Sequence, residues 1–280
     1  MAVTLTAMSA VSRAEATASK AANNPALEAL TRAGFIGYGI VHLLFAWLAL
    51  QIAFGKPAAE GDQSGALMTL AQQPMGKVLV VAIAVGLLAM AIWQLSEALI
   101  GHHDEQGKRR VLERIASAFR TIVYAYFAYT AWKVFKGSPA SSADTQQQKT
   151  QDLLGSGGGR AVVIIAGLAL AGLGIGLVVY GFKKAFKRHL KTGQMAPKTR
   201  QVALRLGTAG YAAKGVAYGI AGVLFVVAAA TYDPSKARGL DAALETLRGQ
   251  AYGAILLTLI AVGIAAFALF CFLQSKYRKV

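Results

Sequence analysis

Apolar and polar positions in this chain segregate into long blocks rather than the short periods of a soluble amphipathic helix or strand. Six apolar blocks occupy about residues 33–54, 77–99, 115–135, 161–182, 209–230 and 253–273. The first, Ala33 to Phe54, reads AGFIGYGIVHLLFAWLALQIAF, 22 residues without Asp, Glu, Lys or Arg. A helix of that length rises about 33 Å, enough to cross a hydrocarbon core of about 30 Å. The blocks therefore predict six membrane-spanning helices. The third is the weakest, because Arg120 and Lys133 leave only 12 uncharged residues between them. Both charges sit near its ends, from which long side chains can snorkel to the interface.

The connections fall into two kinds. Those after the first, third and fifth blocks open on Gly or Pro (Gly55 and Pro57, Gly137 and Pro139, Pro234) and then carry a short helix-like stretch at Ala66–Ala71, Asp152–Leu154 and Leu240–Leu247. In the last of these, Leu240, Ala243, Leu244 and Leu247 fall at i, i+3, i+4, i+7, an amphipathic spacing that predicts a short helix on the outer bilayer surface. Gly155 to Gly159 reads as a flexible bend, since a phosphate loop would need GK[ST] opening a helix. Residues 1–25, rich in Ala, Ser and Thr, lack a signal-peptide core and are expected to form a disordered or loosely helical cytoplasmic tail.

The chain repeats itself. Sliding the first third by 87 residues lays Tyr129 on His42; sliding it by 176 lays Tyr218 there, with Gly210 and Gly215 on Gly34 and Gly39. Units at 26–110, 111–197 and 198–280 each read helix, outer loop, helix. Two crossings return the chain to one side, so the units must run parallel. The expected fold is all-α: an integral membrane bundle of six transmembrane helices in three tandem parallel two-helix repeats, with pseudo-threefold symmetry about the membrane normal. Small residues at Gly172/Gly176 and Gly215/Gly219 predict close helix contacts of the kind that hold bundles together in lipid.

The repeated start AG-[FY]-x₃-G, present as Ala33, Gly34, Phe35, Gly39 and as Ala209, Gly210, Tyr211, Gly215, resembles the bacterial membrane family known as domain of unknown function 1206. The resemblance runs from about Ala26 to the C-terminus. The second unit departs from it, with Thr121, Ile122 and Tyr126 where Gly, aromatic and Gly stand in the others. The resemblance implies a bacterial inner-membrane protein with six spans and brings no assigned activity. Mitochondrial carriers also have three two-helix units, but their Px[DE]xx[KR] motif is missing from QIAFGKP, KVFKGSP and TYDPSKA, which end the odd-numbered blocks here.

Composition and charge sharpen this picture. Only 15% of the 280 residues are charged, against about 25% in soluble domains, while 55% are hydrophobic. The net charge of +16 sits at the ends of apolar blocks, which points to anionic lipid headgroups at the cytoplasmic face rather than to nucleic acid. Of the 29 Lys and Arg, 19 lie on the side of both termini and 9 in the other connections. That bias places both termini in the cytoplasm. Cys271 is the single cysteine, in an apolar run, so it reads as a buried, inert thiol.

Candidate chemistry is sparse. Gly34, Tyr38 and His42 share one helix face at i, i+4, i+8, as do Gly210, Lys214 and Tyr218. His42, Tyr129, Tyr218, Tyr38 and Lys214 are thus expected on one repeated face, and would form a polar cluster if it points to the pseudo-threefold axis. A second recurring set, Glu97, Lys184 and Gln274, falls at the cytoplasmic end. His102-His103-Asp104-Glu105 reads as a solvated loop, because adjacent residues do not converge on one metal. No H-E-x-x-H, G-x-S-x-G or paired intramembrane carboxylate is present, so no catalytic residue, metal site or cofactor is expected. Two functions remain open: a non-catalytic membrane protein that binds lipid, a small molecule or a protein partner, and a small-solute transporter or channel with a polar path near the pseudo-axis.

Overall fold

The computed structural model describes residues 25–56, 61–101, 107–138 and 141–279. The N-terminal segment through residue 24, expected as a cytoplasmic tail, and the run His102 to Glu105 lie outside the described residues. Among the described residues the fold is all-helical, with nine α-helices: α1 (Pro25–Ala53), α2 (Gln63–Ala71), α3 (Gly76–Leu99), α4 (Gly107–Phe135), α5 (Ser142–Leu154), α6 (Gly159–Phe182), α7 (Pro197–Thr231), α8 (Leu240–Arg248) and α9 (Gly253–Tyr277). Helices α1, α3, α6, α7 and α9 are long and apolar enough to cross a membrane. Helix α4 is as long as α1 but more polar, carrying Glu113, Arg114 and Arg120.

The short helices α2, α5 and α8 occupy the connections that follow the first, third and fifth long helices. Asp62 caps α2 by accepting from the Ser64 and Gly65 amides, and Ser141 caps α5 by accepting from Asp144. Each short helix leads into the next long one through the same turn. Amides at 73, 156 and 250 bond the carbonyls at 70, 153 and 247, and those at 76, 159 and 253 bond back to 73, 156 and 250. The residue that starts the long helix is Gly76, Gly159 or Gly253, and a Cβ on any of them would strike a backbone carbonyl of the preceding helix. The run from Gly155 to Gly159 is one copy of this turn.

Long helices pack in the order α6, α7, α9, α1, α3, α4, each on the next. Small residues set the closest seams, as lipid-embedded bundles require. On α6, Gly167, Gly174 and Gly181 recur every seven residues, one stripe of a helix. Gly174 faces Gly215 and Gly219, Gly167 faces Gly222, and Gly181 faces Thr208 and Tyr211 of α7. Gly34 of α1 meets Gly86 of α3, while Gly210 of α7 meets Phe267 of α9. The order has a break: α4 and α6, the two long helices of the middle unit, do not pack against each other.

The end of the bundle that carries the N-terminus of α1 and the C-terminus of α9 is tied together by polar groups. Arg32 donates to the Ser275 and Lys276 carbonyls at 2.8 and 3.0 Å. Leu190 pairs with Arg278, and the Lys279 amide bonds the His189 carbonyl. Glu113 of α4 pairs with Arg188 and lies 3.6 Å from Arg120. At the other end, Asp241 of α8 accepts from the Gly61 amide at 2.8 Å, and Ser142 of α5 donates its amide to Ser64 of α2 at 3.3 Å. The three short helices thus cover that end jointly.

Candidate functional site

A cavity of about 600 Å³ lies where α4 and α6 part, bounded behind by α1, α7 and α9. Its walls are mostly apolar, from Phe119, Ile122, Val123 and Phe127 on α4 and Leu170, Leu173 and Leu177 on α6. Gly176 also lines it, and a Cβ there would meet nothing within 4 Å. Ile122 and Phe119 are 67% and 50% exposed, so the cavity opens sideways, through the face of the bundle that lipid would cover. Toward the short helices it reaches Tyr126, whose hydroxyl is 2.9 Å from the Ser142 hydroxyl, and Tyr218.

Four of the five residues expected on the repeated face, Tyr38, His42, Lys214 and Tyr218, come together at the cavity. His42 is fully buried, and its Nδ1 lies 2.8 Å from the Tyr38 carbonyl. A carbonyl only accepts, so Nδ1 carries the proton and Nε2 presents a lone pair. Lys214 Nζ uses that lone pair at 3.3 Å and the Tyr38 hydroxyl at 3.3 Å. Its third direction lies over the Phe267 ring, 4.0 Å from the centroid, a cation–π contact. Tyr38, His42 and Lys214 therefore form one cluster, and Tyr218 lines the same cavity.

Tyr129 does not join them. It is 62% exposed on the outside of α4. The reason is register. Gly55 and Gly137 end α1 and α4 in the same left-handed turn, with matched bonds from 55 to 52 and from 137 to 134. That geometry sets the slide between the first helices at 82 residues, not 87. Five residues rotate a helix by about 140°. At the slide of 82, Tyr124 stands on His42 and Arg120 on Tyr38, and both line the cavity. Tyr124 packs edge-on to Tyr38, ring centroids 5.6 Å apart. The sequence reading missed these two; the paired Gly55 and Gly137 carried the signal.

The second recurring set divides in the same way. Gln274 is buried and lines the cavity; its Oε1 accepts from Arg278 Nη1 at 2.7 Å. Glu97 is half-buried at the end of α3. Lys184 is exposed, in a separate basic cleft with Arg109, Lys187, Arg188 and Lys279. The turn before each second long helix sets that slide at 83, which puts Tyr180, a cavity residue, on Glu97. Arg278 was not singled out in the sequence. It is 7% exposed, lines the cavity, and stacks its guanidinium on Phe35 and Trp93 at 5.3 and 5.2 Å. Among the described residues its Nε has no hydrogen-bond partner.

Among the described residues no group of three or more His, Cys, Asp or Glu could hold a metal. Buried Cys271 sits on the cavity wall.

Residues 33–101, 115–184 and 209–278 match, three times over, the family profile described as Domain of Unknown Function (DUF1206). The chain belongs to this family. It is also similar to the "Uncharacterized protein YxxB" of Bacillus subtilis (strain 168), 27% identical over 262 residues, covering 93% of this chain and 94% of that protein. No solved structure matches. The three matched segments begin and end on the register that the turns define, with Gly101, Lys184 and Arg278 at or beside their last positions. This family member is a membrane-type helical protein with three repeats.

Proposed function

We propose that this protein is a non-catalytic, multi-pass membrane protein that takes an apolar or amphipathic molecule from the bilayer into the cavity between α4 and α6. The observation that carries this is the lateral opening of a 600 Å³, mostly apolar cavity. That volume lies within the range of about 300–1,000 Å³ typical of ligand pockets. In this reading α4 is a sixth span, its outward apolar side chains (Ile115, Ile122, Trp132) facing lipid. The six spans are then arranged with pseudo-threefold symmetry, which the thrice-repeated turn supports. The basic end, with the cleft of Arg109, Lys187 and Arg188, faces the cytoplasm of a bacterial inner membrane and meets anionic headgroups there.

Native mass spectrometry of the protein released from membranes tests the reading. The wild type should retain one amphipathic molecule per chain, and Gly176→Trp, which fills the opening from a position with free space around it, should release it. A bare wild type, or a variant that retains the same molecule, would refute cavity binding.

The cluster of Lys214, His42 and Tyr38 favours a second reading, passage of a small solute. A solute path would have to cross the end covered by α2, α5 and α8, so this reading ranks below the first. Flux into proteoliposomes that disappears in His42→Ala, with the melt unchanged, would reverse that order.

A further inference from the structure

The cavity holds two buried cations. Lys214 is 8% exposed and Arg278 7%. Neither takes part in any ion pair among the described residues; at this end Glu113 pairs with Arg188 and Arg120, and Glu28 with Arg32. Lys214 has only neutral acceptors, His42 Nε2 and the Tyr38 hydroxyl. Arg278 has one acceptor, Gln274, two aromatic faces, and an Nε with no partner. A buried charge without a counter-charge is strongly unfavourable, and a guanidinium presents a fork of donors suited to carboxylate or phosphate. Along α1, Arg278 stacks on Phe35, and Lys214 reaches Tyr38 and His42, about one and two helical turns further on. Both cations line the same cavity, so an anionic head inside it faces both.

The rest of the cavity suits a hydrocarbon chain. From the cationic end, the way out to the lipid face runs between Phe119 and Ile122 of α4 and Leu173 and Leu177 of α6. Gly176 stands there where the turn register puts Trp93 and Phe270 in the other two units. Both of those aromatics are buried, at 4% and 1% exposed. The middle unit thus lacks the side chain that fills the corresponding place in its neighbours.

Resting on the cavity-binding reading above, we infer that the ligand is an anionic amphiphile: a carboxylate or phosphate head held between Arg278 and Lys214, with one alkyl chain leaving through the α4/α6 opening. The head chemistry is shared by a single-chain acid or alkyl phosphate and by a diacyl phospholipid that inserts one of its chains.

Equilibrium binding of radiolabelled hexadecyl phosphate to the full chain in nanodiscs of zwitterionic phospholipid tests this. Saturable binding of one molecule per chain is expected, weakened at least tenfold in both Arg278→Gln and Lys214→Met and abolished in Gly176→Trp. Hexadecan-1-ol and hexadecylamine should compete at least tenfold less well than hexadecanoic acid. If the alcohol or the amine competes equally, or both charge variants bind as wild type does, the anionic head is refuted while the cavity reading stands. If no hexadecyl compound binds, both fall. Thermal melts of each variant separate weaker binding from misfolding, and two charge variants keep the test open if one fails to fold. Doping the nanodiscs with phosphatidylglycerol distinguishes the sources. Displacement of the probe identifies a bilayer phospholipid as an occupant, and no displacement identifies a free single-chain anion; either supports the anionic head.

Discussion

The first and middle repeats contain the same three parts, a long helix, a short outer helix and a second long helix joined by the same glycine turn. In the first repeat the long helices α1 and α3 close on each other at Gly34 and Gly86, and Trp93 fills the space below with Phe35 against it, ring centroids 6.2 Å apart. In the middle repeat α4 presents Phe119, Ile122, Val123 and Phe127 on the corresponding side, and α6 presents Gly176 where Trp93 would be. The glycine stripe of α6 faces α7 instead. Large residues on one helix keep the backbones apart, and a missing aromatic on the other leaves the gap unfilled. Opening a cavity in this fold thus needs no new element. It needs close-contact glycines on the seam between repeats and none that work within the repeat.

The largest test of this comparison is a pair of seams. A Cβ on Gly174 would lie 2.5 Å from the Gly219 nitrogen and 2.6 Å from the Gly215 oxygen. These are backbone atoms that cannot rotate away, so Gly174→Ala should destabilise by about 3 kcal/mol, the upper end of overpacking costs. A clear fall in the melting temperature of the detergent-solubilised protein checks it. A wild-type melt would mean that α6 and α7 are not held by this stripe.

Next in size is the register of the middle repeat. Tyr124, at 9% exposed, packs into the core, whereas Tyr129 faces outward. Tyr124→Ala should cost about 3 kcal/mol, as other large aromatic truncations do. Tyr129→Ala should stay within about 0.5 kcal/mol, the usual range for outward positions. If the two exchanged rank, the slide of 87 would be right and the cavity wall would have to be redrawn.

These pairs also mark what was legible in the sequence. Five helices long and apolar enough to span, the short helices of the connections and the face carrying Tyr38, His42 and Lys214 follow from block length, Gly and Pro punctuation and helical spacing. The middle repeat was misregistered because sliding one sequence over another rewards identity, and Tyr129 on His42 looked like a match of polar rings. The turns that fix the true register are glycines in loops, where a slide of apolar blocks has least weight. Arg278 stayed hidden for a different reason. A basic residue at the last turn of a span reads as a headgroup anchor, and only the packing of α9 against α1 and α3 shows it turned inward onto Phe35 and Trp93.

A smaller effect should change sign with the state of the open repeat. Lys214→Met removes a buried cation without a counter-charge, and such replacements by apolar side chains are neutral or stabilising by about 1 kcal/mol or more. The variant should melt at or above wild type in protein stripped of amphiphiles. In protein carrying a bound anion the order should reverse, because only wild type gains from it, by an amount that grows with ligand concentration. A lower melt for the variant in both states would show that Lys214 serves its hydrogen bonds to His42 and Tyr38 more than any ligand.

The smallest effect comes from the opening itself, and its direction is the informative part. Gly176 is a mid-helix glycine without positive φ, and a Cβ there meets nothing within 4 Å. Gly176→Ala should therefore stabilise by about 0.4–1 kcal/mol, through the unfolded chain alone. Set beside Gly174→Ala, two residues away on the same helix, it asks whether α6 has one packed face and one open face. Opposite signs in the two melts would establish that it does. A destabilised Gly176→Ala would mean that α4 approaches α6 at this level in the membrane, and that the middle repeat closes as the first one does.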